Sequence, residues 1–126
     1  MKTKVLVIED DDASRHLFTF LLEQQGCQVS CCHTAQRGLE AAGKHSPDLI
    51  IMDYQLPDMN GCDLMEQLRQ NRHTERTPVL VVSAQSLIPE QCRSVLQAGA
   101  CEILEKPVDP DTFVTEALSA VSAGSS

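Results

Sequence analysis

Short apolar stretches alternate along this chain with longer segments in which apolar residues recur at helical spacing. Residues 5–8, 49–52 and 79–82 read VLVI, LIIM and VLVV, and each stretch is apolar at every position. Uniformly apolar strands are typical of a parallel sheet that is covered on both faces. Residues 28–32 and 103–104 are mixed in polarity, as strands at the edges of a sheet can be. The pattern therefore predicts three central strands and two edge strands.

A helix is predicted after each of the five strands, because apolar residues recur there with the helical period. Thr34 and Asn60 are capping residues at the starts of two helices, and Gly26 ends the first helix. Asp109 followed by Pro110 is an N-cap with proline at the first helical position. Strands that alternate with helices in this way predict a parallel sheet with helices on both faces.

The fold class predicted from this pattern is α/β, a doubly wound five-stranded parallel sheet of the flavodoxin-like (βα)5 type. Strands 1, 3 and 4 belong in the middle of the sheet and strands 2 and 5 at its edges, which the strand order 2-1-3-4-5 satisfies. In such sheets ligands bind at the carboxyl ends of the strands, next to the switch point between strands 1 and 3.

Composition narrows the possible functions. The 126 residues are enough for one domain with a full core. The formal net charge of −8 argues against direct nucleic-acid binding by this chain. No apolar run is long enough to cross a bilayer, and the amino terminus does not have the pattern of a signal peptide. We therefore expect no membrane insertion and a cytoplasmic location.

The six cysteines raise the alternatives of a disulfide framework or a zinc site. None of them forms a C-x-x-C pair, and the adjacent Cys31 and Cys32 would point to opposite faces of a strand. We interpret the cysteines as reduced thiols that act as small hydrophobic residues.

Polar residues follow the points where the predicted strands end. Glu9 and Asp10 follow strand 1, and Asp53 follows strand 3. Ser83 follows strand 4, and strand 5 leads to Lys106. In the predicted strand order these ends meet at one edge of the sheet. Three carboxylates from two neighbouring strands form an oxygen-rich site for a hard divalent cation, so we expect Mg²⁺.

Each of these residues has an ordinary structural explanation when it is taken alone. An acid after a strand is often a helix N-cap, which we expect of Asp11 or Asp12. A single aspartate in a loop such as residues 53–57 is usually turn chemistry. A lone serine or lysine is usually a loop or surface residue. The functional interpretation rests on the fact that all of these residues follow strands whose carboxyl ends meet at one edge of the predicted sheet.

Four segments of the chain resemble the motifs of the receiver domains of two-component response regulators. They read VLVIEDDDASR, LIIMDYQLPDMNG, VLVVSA and AGACEILEKPVD, and the resemblance, which is to chemotaxis-regulator-like receivers, covers nearly the whole chain. It implies a receiver domain over residues 1–122, and the small and polar residues 123–126 are predicted to be a flexible tail or the start of a linker.

The resemblance implies a role for each residue at the strand ends. Asp53 matches the phosphoacceptor, and Ser83 and Lys106 match the switch hydroxyl and the lysine that act with it. The matching metal ligands are Glu9, Asp10, Asp53 and the backbone carbonyl of Gln55. The bond between Lys106 and Pro107 matches a peptide bond that is usually cis in the family.

The function implied by the resemblance is phosphorelay signal transduction. A histidine kinase or histidine phosphotransfer protein would transfer a phosphoryl group onto Asp53 in a Mg²⁺-dependent reaction. The chain would be a regulatory phosphoacceptor rather than an enzyme, although it would promote its own Mg²⁺-dependent phosphorylation and dephosphorylation. Phosphorylation would switch an interaction with an output domain or partner protein through the face of helix 4, strand 5 and helix 5.

One position departs from the pattern of the family. Three residues before Lys106, a tyrosine or phenylalanine often serves as a rotameric switch, and here the residue is Ile103. We therefore expect the coupling between Ser83 and the output face to differ from the usual aromatic coupling. The residues for phosphorylation are all retained.

Two alternatives to a phosphorylated receiver are open at this point. A phosphatase of the haloacid dehalogenase type also forms an aspartyl phosphate, and Asp10 and Asp12 mimic its D-x-D signature after strand 1. Such an enzyme would use Asp10 as its nucleophile, would give Asp53 no role, and would need a cap for which the chain has no room. The second alternative is a degenerate receiver that acts only as an interaction module, which the presence of every phosphorylation residue disfavours.

Overall fold

The computed structural model describes residues 2–124 of the chain. Within these residues, five strands alternate with five helices. The strands are β1 (Lys4–Ile8), β2 (Gln28–Cys32), β3 (Leu49–Asp53), β4 (Val79–Ser83) and β5 (Ala100–Glu105). The helices are α1 (Asp12–Gln24), α2 (Ala35–His45), α3 (Gly61–Gln70), α4 (Pro89–Gln97) and α5 (Pro110–Gly124).

The strands all pair in parallel, in the order β2-β1-β3-β4-β5. This order confirms the predicted topology, with the uniformly apolar strands in the middle. Every residue of β3 and β4 is buried, whereas β2 and β5 keep exposed positions at the edges. β5 begins at Ala100 and is longer than the predicted segment 103–104, because its pairing with β4 continues across a register shift between Val79 and Leu80.

The sheet separates two hydrophobic clusters, because successive side chains of a strand point to opposite faces. In β1, for example, Ile8 belongs to the cluster on the side of α2, α3 and α4, and Val7 to the cluster on the side of α1 and α5. The rings of Phe18 and Phe113 stack in the second cluster with their centroids 4.6 Å apart, which joins α1 to α5. Both faces of the sheet are therefore covered, so polar chemistry is confined to the ends of the strands.

The predicted capping residues are confirmed at the helix starts. The side chains of Thr34 and Asn60 each accept a hydrogen bond from a backbone N–H in the first turn of their helix. Asp109 accepts one in the same way at the start of α5. Of the two acids considered for α1, Asp11 is the N-cap, and its carboxylate accepts a hydrogen bond from the Ser14 N–H at 2.8 Å. These helices begin just beyond the carboxyl ends of the strands.

The described part of the chain ends in a helix. α5 runs to Gly124, so residues 123–124 of the predicted tail belong to it, and residues 125–126 lie outside the described residues. Within residues 2–124, no helix has both the length and the apolar character that a membrane span requires. All six cysteines are free thiols.

Candidate functional site

The candidate residues come together at the carboxyl ends of the strands. Glu9 and Asp10 follow β1, Asp53 is the last residue of β3, and Ser83 is the last residue of β4. Lys106 directly follows β5, and its side chain reaches back to the acids. Because parallel strands end at the same edge of the sheet, residues that are far apart in sequence share one site.

Three carboxylates form the centre of this site. One oxygen from each of Glu9, Asp10 and Asp53 lies within 4.8 Å of the others, and no other group of this kind occurs in the part of the chain that the structure describes. Glu9 is 0% exposed and Asp53 is 5% exposed, whereas Asp10 is open to solvent. Like charges at this spacing repel, and burial removes the water that would screen them. The arrangement therefore requires a cation.

Lys106 supplies part of the compensating charge. Its ammonium forms an ion pair with the Glu9 carboxylate and lies 3.3 Å from Asp53 Oδ2. Its backbone N–H donates to the carbonyl of Ser83 at 2.7 Å, and its peptide bond to Pro107 is cis, as the resemblance implied. Burial lowers the pKa of Lys106, but the hydrogen bond to Glu9 and the charge of Asp53 outweigh it, so the pKa is raised and the ammonium stays charged.

The pKa of Glu9 indicates that the Lys106 ammonium alone does not neutralise the site. The pKa of Glu9 is raised to about 7, first by burial and then by the Asp53 carboxylate, and Lys106 only partly offsets these effects. Three carboxylates face a single ammonium, so the site keeps an excess of negative charge. A hard divalent cation with oxygen ligands fits both this charge and this set of donors. The residues present therefore fit the Mg²⁺ that the sequence led us to expect.

Each carboxylate oxygen of Asp53 has a partner. Oδ1 accepts a hydrogen bond from the Gln55 backbone N–H at 3.0 Å, and Oδ2 faces the Lys106 ammonium. The Gln55 side chain extends to the next loop, where its Nε2 donates to Gln85 Oε1 at 3.2 Å. This bond links the loops that follow the neighbouring strands β3 and β4.

Ser83 is buried, and its hydroxyl is engaged by the loop that follows β4. Its Oγ donates to the Gln85 carbonyl at 2.7 Å and accepts a hydrogen bond from the Gln85 N–H at 3.3 Å. The hydroxyl must therefore leave the Gln85 carbonyl before it can donate to a group that is attached to Asp53. Such a step would also release the main chain at Gln85.

Ile103, at the position where the family often has an aromatic residue, is partly buried and packs against the cluster on the side of α2, α3 and α4. A groove of about 360 Å³ lies between the loop after β4, helix α4 and strand β5. Ser83 and Ile103 both line this groove. The Ser83 hydroxyl and the Ile103 side chain are thus parts of one surface.

The sequence reasoning assigned no contact to the side chains of Arg15 and Gln85. Arg15 Nη1 donates to the backbone carbonyls of Glu9 and Asp10, at 3.1 and 3.2 Å. Gln85 pairs with Gln55, which lies 30 residues away in sequence. The residue types alone do not indicate either contact. Arg15 binds backbone carbonyls, which every residue carries, and Gln55 meets Gln85 only because the sheet brings their two loops together. The one indication available for Arg15 was its position, about one helical turn after the acidic residues that follow β1.

Comparison with known proteins gives consistent results. A family model described as the response regulator receiver domain matches residues 5–118. The chain is similar to the sensory/regulatory protein RpfC of Xanthomonas campestris pv. campestris, with 40% identity over 107 residues that cover 83% of the chain and 15% of RpfC. It is also similar to the polar-differentiation response regulator DivK of Brucella ovis, with 30% identity over 115 residues that cover 90% of the chain and 92% of DivK.

The chain therefore spans a small part of RpfC and nearly the full length of DivK. Among solved structures, it resembles a CheY-like response regulator receiver domain protein from Methanospirillum hungatei JF-1. The two structures have a TM-score of 0.92 and 26% sequence identity, and the match covers 99% of this chain and 98% of the other.

Proposed function

Because this chain belongs to the family of response regulator receiver domains, we propose that Asp53 is the residue on which it accepts a phosphoryl group. The family acts in two-component phosphorelay signalling as a regulatory phosphoacceptor. The observation that carries the assignment is the position of Asp53. It ends a central strand, is 5% exposed, lies in the carboxylate cluster and has Lys106 at one of its oxygens.

The proposed metal site consists of side chains from β1 and β3 and one main-chain group: Glu9, Asp10, Asp53 and the backbone carbonyl of Gln55. Mg²⁺ prefers oxygen ligands of this kind and usually keeps several waters, which the exposed side of Asp10 can accommodate. When bound, the ion supplies charge neutralisation for the carboxylates and for the transferring phosphoryl group.

The protein's own groups provide the remaining chemistry. A carboxylate oxygen of Asp53 attacks phosphorus in line, a bond forms between that oxygen and phosphorus, and the bond from phosphorus to the donor breaks. Lys106, 3.3 Å from Oδ2, stabilises the oxygens of the transferring group. Ser83 donates to another of these oxygens once it has left the Gln85 carbonyl. An acyl phosphate remains on Asp53 until water hydrolyses it.

The proposed donor is a phosphohistidine of a histidine kinase or of a histidine phosphotransfer protein. The proposed output surface is the face of α4, β5 and α5, which contains the groove lined by Ser83 and Ile103. Movement of Ser83 toward the phosphoryl group changes one wall of that groove. An output domain or partner protein that contacts this face would therefore distinguish the two states of the site.

Intact-mass measurement with a small phosphodonor tests the assignment. After incubation with acetyl phosphate and Mg²⁺, we expect the chain to gain the mass of one phosphoryl group, and we expect EDTA to prevent the gain. Asp53→Asn should abolish it, because the nucleophile is removed. Asp111→Asn is the matched control, since Asp111 is an exposed acid at the start of α5.

Mapping of the modified residue separates the proposal from its alternatives. A phosphoryl group on Asp10 would support the phosphatase interpretation, although Asp10 is exposed and Lys106 contacts Glu9 and Asp53 rather than Asp10. Unchanged labelling of Asp53→Asn would contradict the assignment of Asp53. The absence of Mg²⁺-dependent labelling with every donor would support a degenerate receiver.

A further inference from the structure

Arg15 lies in the first turns of α1, and its side chain folds back over the turn that leads into the helix. Nη1 donates to the carbonyl of Glu9 at 3.1 Å and to the carbonyl of Asp10 at 3.2 Å. Nη2 forms an ion pair with the Asp12 carboxylate. The Arg15 side chain is 11% exposed, whereas the Asp12 side chain is 80% exposed. The guanidinium is thus packed against the turn, where its contact with the Glu9 carbonyl is partly buried and its contact with the Asp10 carbonyl is exposed.

The position of this arginine is unfavourable for the helix itself. The amino-terminal end of a helix carries a partial positive charge, so a cation near the first turn is destabilising. The ion pair joins the mostly buried Arg15 guanidinium to the exposed Asp12 carboxylate. Ion pairs that water reaches contribute little to the stability of a protein. Helix stability therefore does not account for a buried guanidinium at this place. Its hydrogen bonds go instead to two backbone carbonyls of the turn, those of Glu9 and Asp10.

Those two carbonyls belong to residues whose side chains form the acidic cluster. Only residues 9–11 separate the end of β1 from the start of α1. The N–H of Glu9 donates to Cys32, and Glu9 Oε2 accepts a hydrogen bond from the Asp11 N–H at 3.2 Å. Together with the hydrogen bonds from Arg15, these contacts hold the main chain before and after the side chains of Glu9 and Asp10. The direction in which these two carboxylates leave the main chain is set by the same bonds.

We propose that Arg15 is a positioning residue for the metal site, one that orients Glu9 and Asp10 through their backbone carbonyls. The inference rests on the proposed function, because it assumes that these acids hold Mg²⁺. Arg15 would not itself be a ligand of the ion. It acts as the groups behind metal ligands generally do, by holding the ligands in the geometry that the ion requires.

The proposal is testable because the two possible roles of Arg15, as a positive charge or as a positioning residue, predict opposite changes in Mg²⁺ affinity when the side chain is removed. If Arg15 acted only as a nearby positive charge, its removal would reduce repulsion and Mg²⁺ would bind more tightly. If Arg15 positions the ligands, its removal weakens Mg²⁺ binding even though a repelling charge has gone. The sign of the change in affinity therefore distinguishes the two roles.

The experiment is a calorimetric titration of the purified chain with MgCl₂, compared with Arg15→Met, Arg15→Lys and Asp12→Ala. We expect Arg15→Met to weaken binding by about tenfold, in the range for residues behind metal ligands. Arg15→Lys keeps the charge but loses the planar guanidinium that holds the two carbonyls and Asp12 in one fixed geometry, so its affinity should be intermediate. Asp12→Ala removes only the exposed ion-pair partner and should stay close to the unmodified chain.

Melting temperatures with and without Mg²⁺ separate positioning from a purely structural role. A variant that only destabilises the fold lowers both temperatures equally, whereas loss of positioning also reduces the rise that Mg²⁺ causes. Unchanged or tighter Mg²⁺ binding by Arg15→Met overturns the proposal; if that variant does not fold, the same result with Arg15→Lys overturns it. Failure of the unmodified chain to bind Mg²⁺ contradicts the proposed metal site itself, and the role of Arg15 with it.

Discussion

Single residues shape the surroundings of Asp53 through size as well as charge. Tyr54, directly after Asp53, is 5% exposed, and its hydroxyl lies 3.3 Å from Cys62 Sγ. Burial, and then the contact with Cys62, raise the pKa of Tyr54 to about 12, so the phenol stays protonated. A Cβ on Gly61 would lie 2.5 Å from Tyr54 Cδ2. Glycine at position 61 therefore makes room for the ring beside Asp53.

Gly61→Ala is expected to destabilise the domain by about 1–3 kcal/mol, because the added methyl forces the Tyr54 ring or the start of α3 to move. Urea denaturation measures this change. Gly43→Ala is the matched control, since its Cβ would meet only Asn71 Nδ2 at 3.7 Å. Gly43 lies in the last turn of α2, so that change should be neutral or stabilise by at most about 0.5–1 kcal/mol. Equal stabilities for the two variants would contradict the steric argument.

Among the elements, α2 depends on a cap from a distant loop. Asp58, in the loop between β3 and α3, accepts hydrogen bonds from the Ala35 N–H at 2.9 Å and the Gln36 N–H at 3.0 Å. Thr34 caps the N–H that follows. The two backbone hydrogen bonds lower the pKa of Asp58 below its ordinary value of 3.8. The loop that follows β3 is thereby tied to the neighbouring helix α2.

Asp58→Ala is expected to lower stability at neutral pH by about 1 kcal/mol, the usual effect of removing a cap. Because the folded state lowers the pKa of this carboxyl, its contribution is complete above pH 3.8 and is lost as the pH falls through the lowered pKa. The difference in unfolding free energy between the two proteins should therefore shrink under acid conditions. Asp111→Ala is the control. If the difference in unfolding free energy between the unmodified chain and Asp58→Ala stayed the same below pH 3.8, the capping role would be contradicted.

For the domain as a whole, the dominant feature is charge. The chain carries a formal net charge of −8, and two of its acids are buried at one end of the sheet beside a third. One lysine compensates for part of this charge. A bound cation would relieve the remaining repulsion only in the folded state, where the three carboxylates are together. Metal binding and folding are therefore expected to be linked.

Millimolar Mg²⁺ is expected to raise the melting temperature, because it binds the folded state and not the unfolded chain. Circular dichroism at matched ionic strength, with NaCl as the salt control, measures the shift. Asp10→Asn should reduce the rise by removing a ligand, whereas Asp111→Asn should leave it unchanged. A melting temperature that is indifferent to Mg²⁺ would argue against the metal site.

The architecture, and the convergence of the candidate site residues, could be predicted from local features of the chain. VLVI, LIIM and VLVV identified the central strands because burial on both faces requires apolar side chains at every position. Capping residues such as Thr34 and Asn60 marked the helix starts because their side chains bond within their own turn. Once the strand order was known, Glu9, Asp53 and Lys106 had to converge, because parallel strands end at one edge.

The contacts that orient these residues depended on distances between parts of the chain that are remote in sequence. Arg15 binds carbonyls, and a carbonyl is present at every position, so no residue type signals the pairing. Gln55 meets Gln85, and Asp58 meets α2, only because the sheet brings separate loops side by side. The Ser83 hydroxyl has several possible partners, and packing selects the Gln85 carbonyl. Side-chain identity specifies which chemistry is possible, whereas the folded backbone sets the geometry in which it takes place.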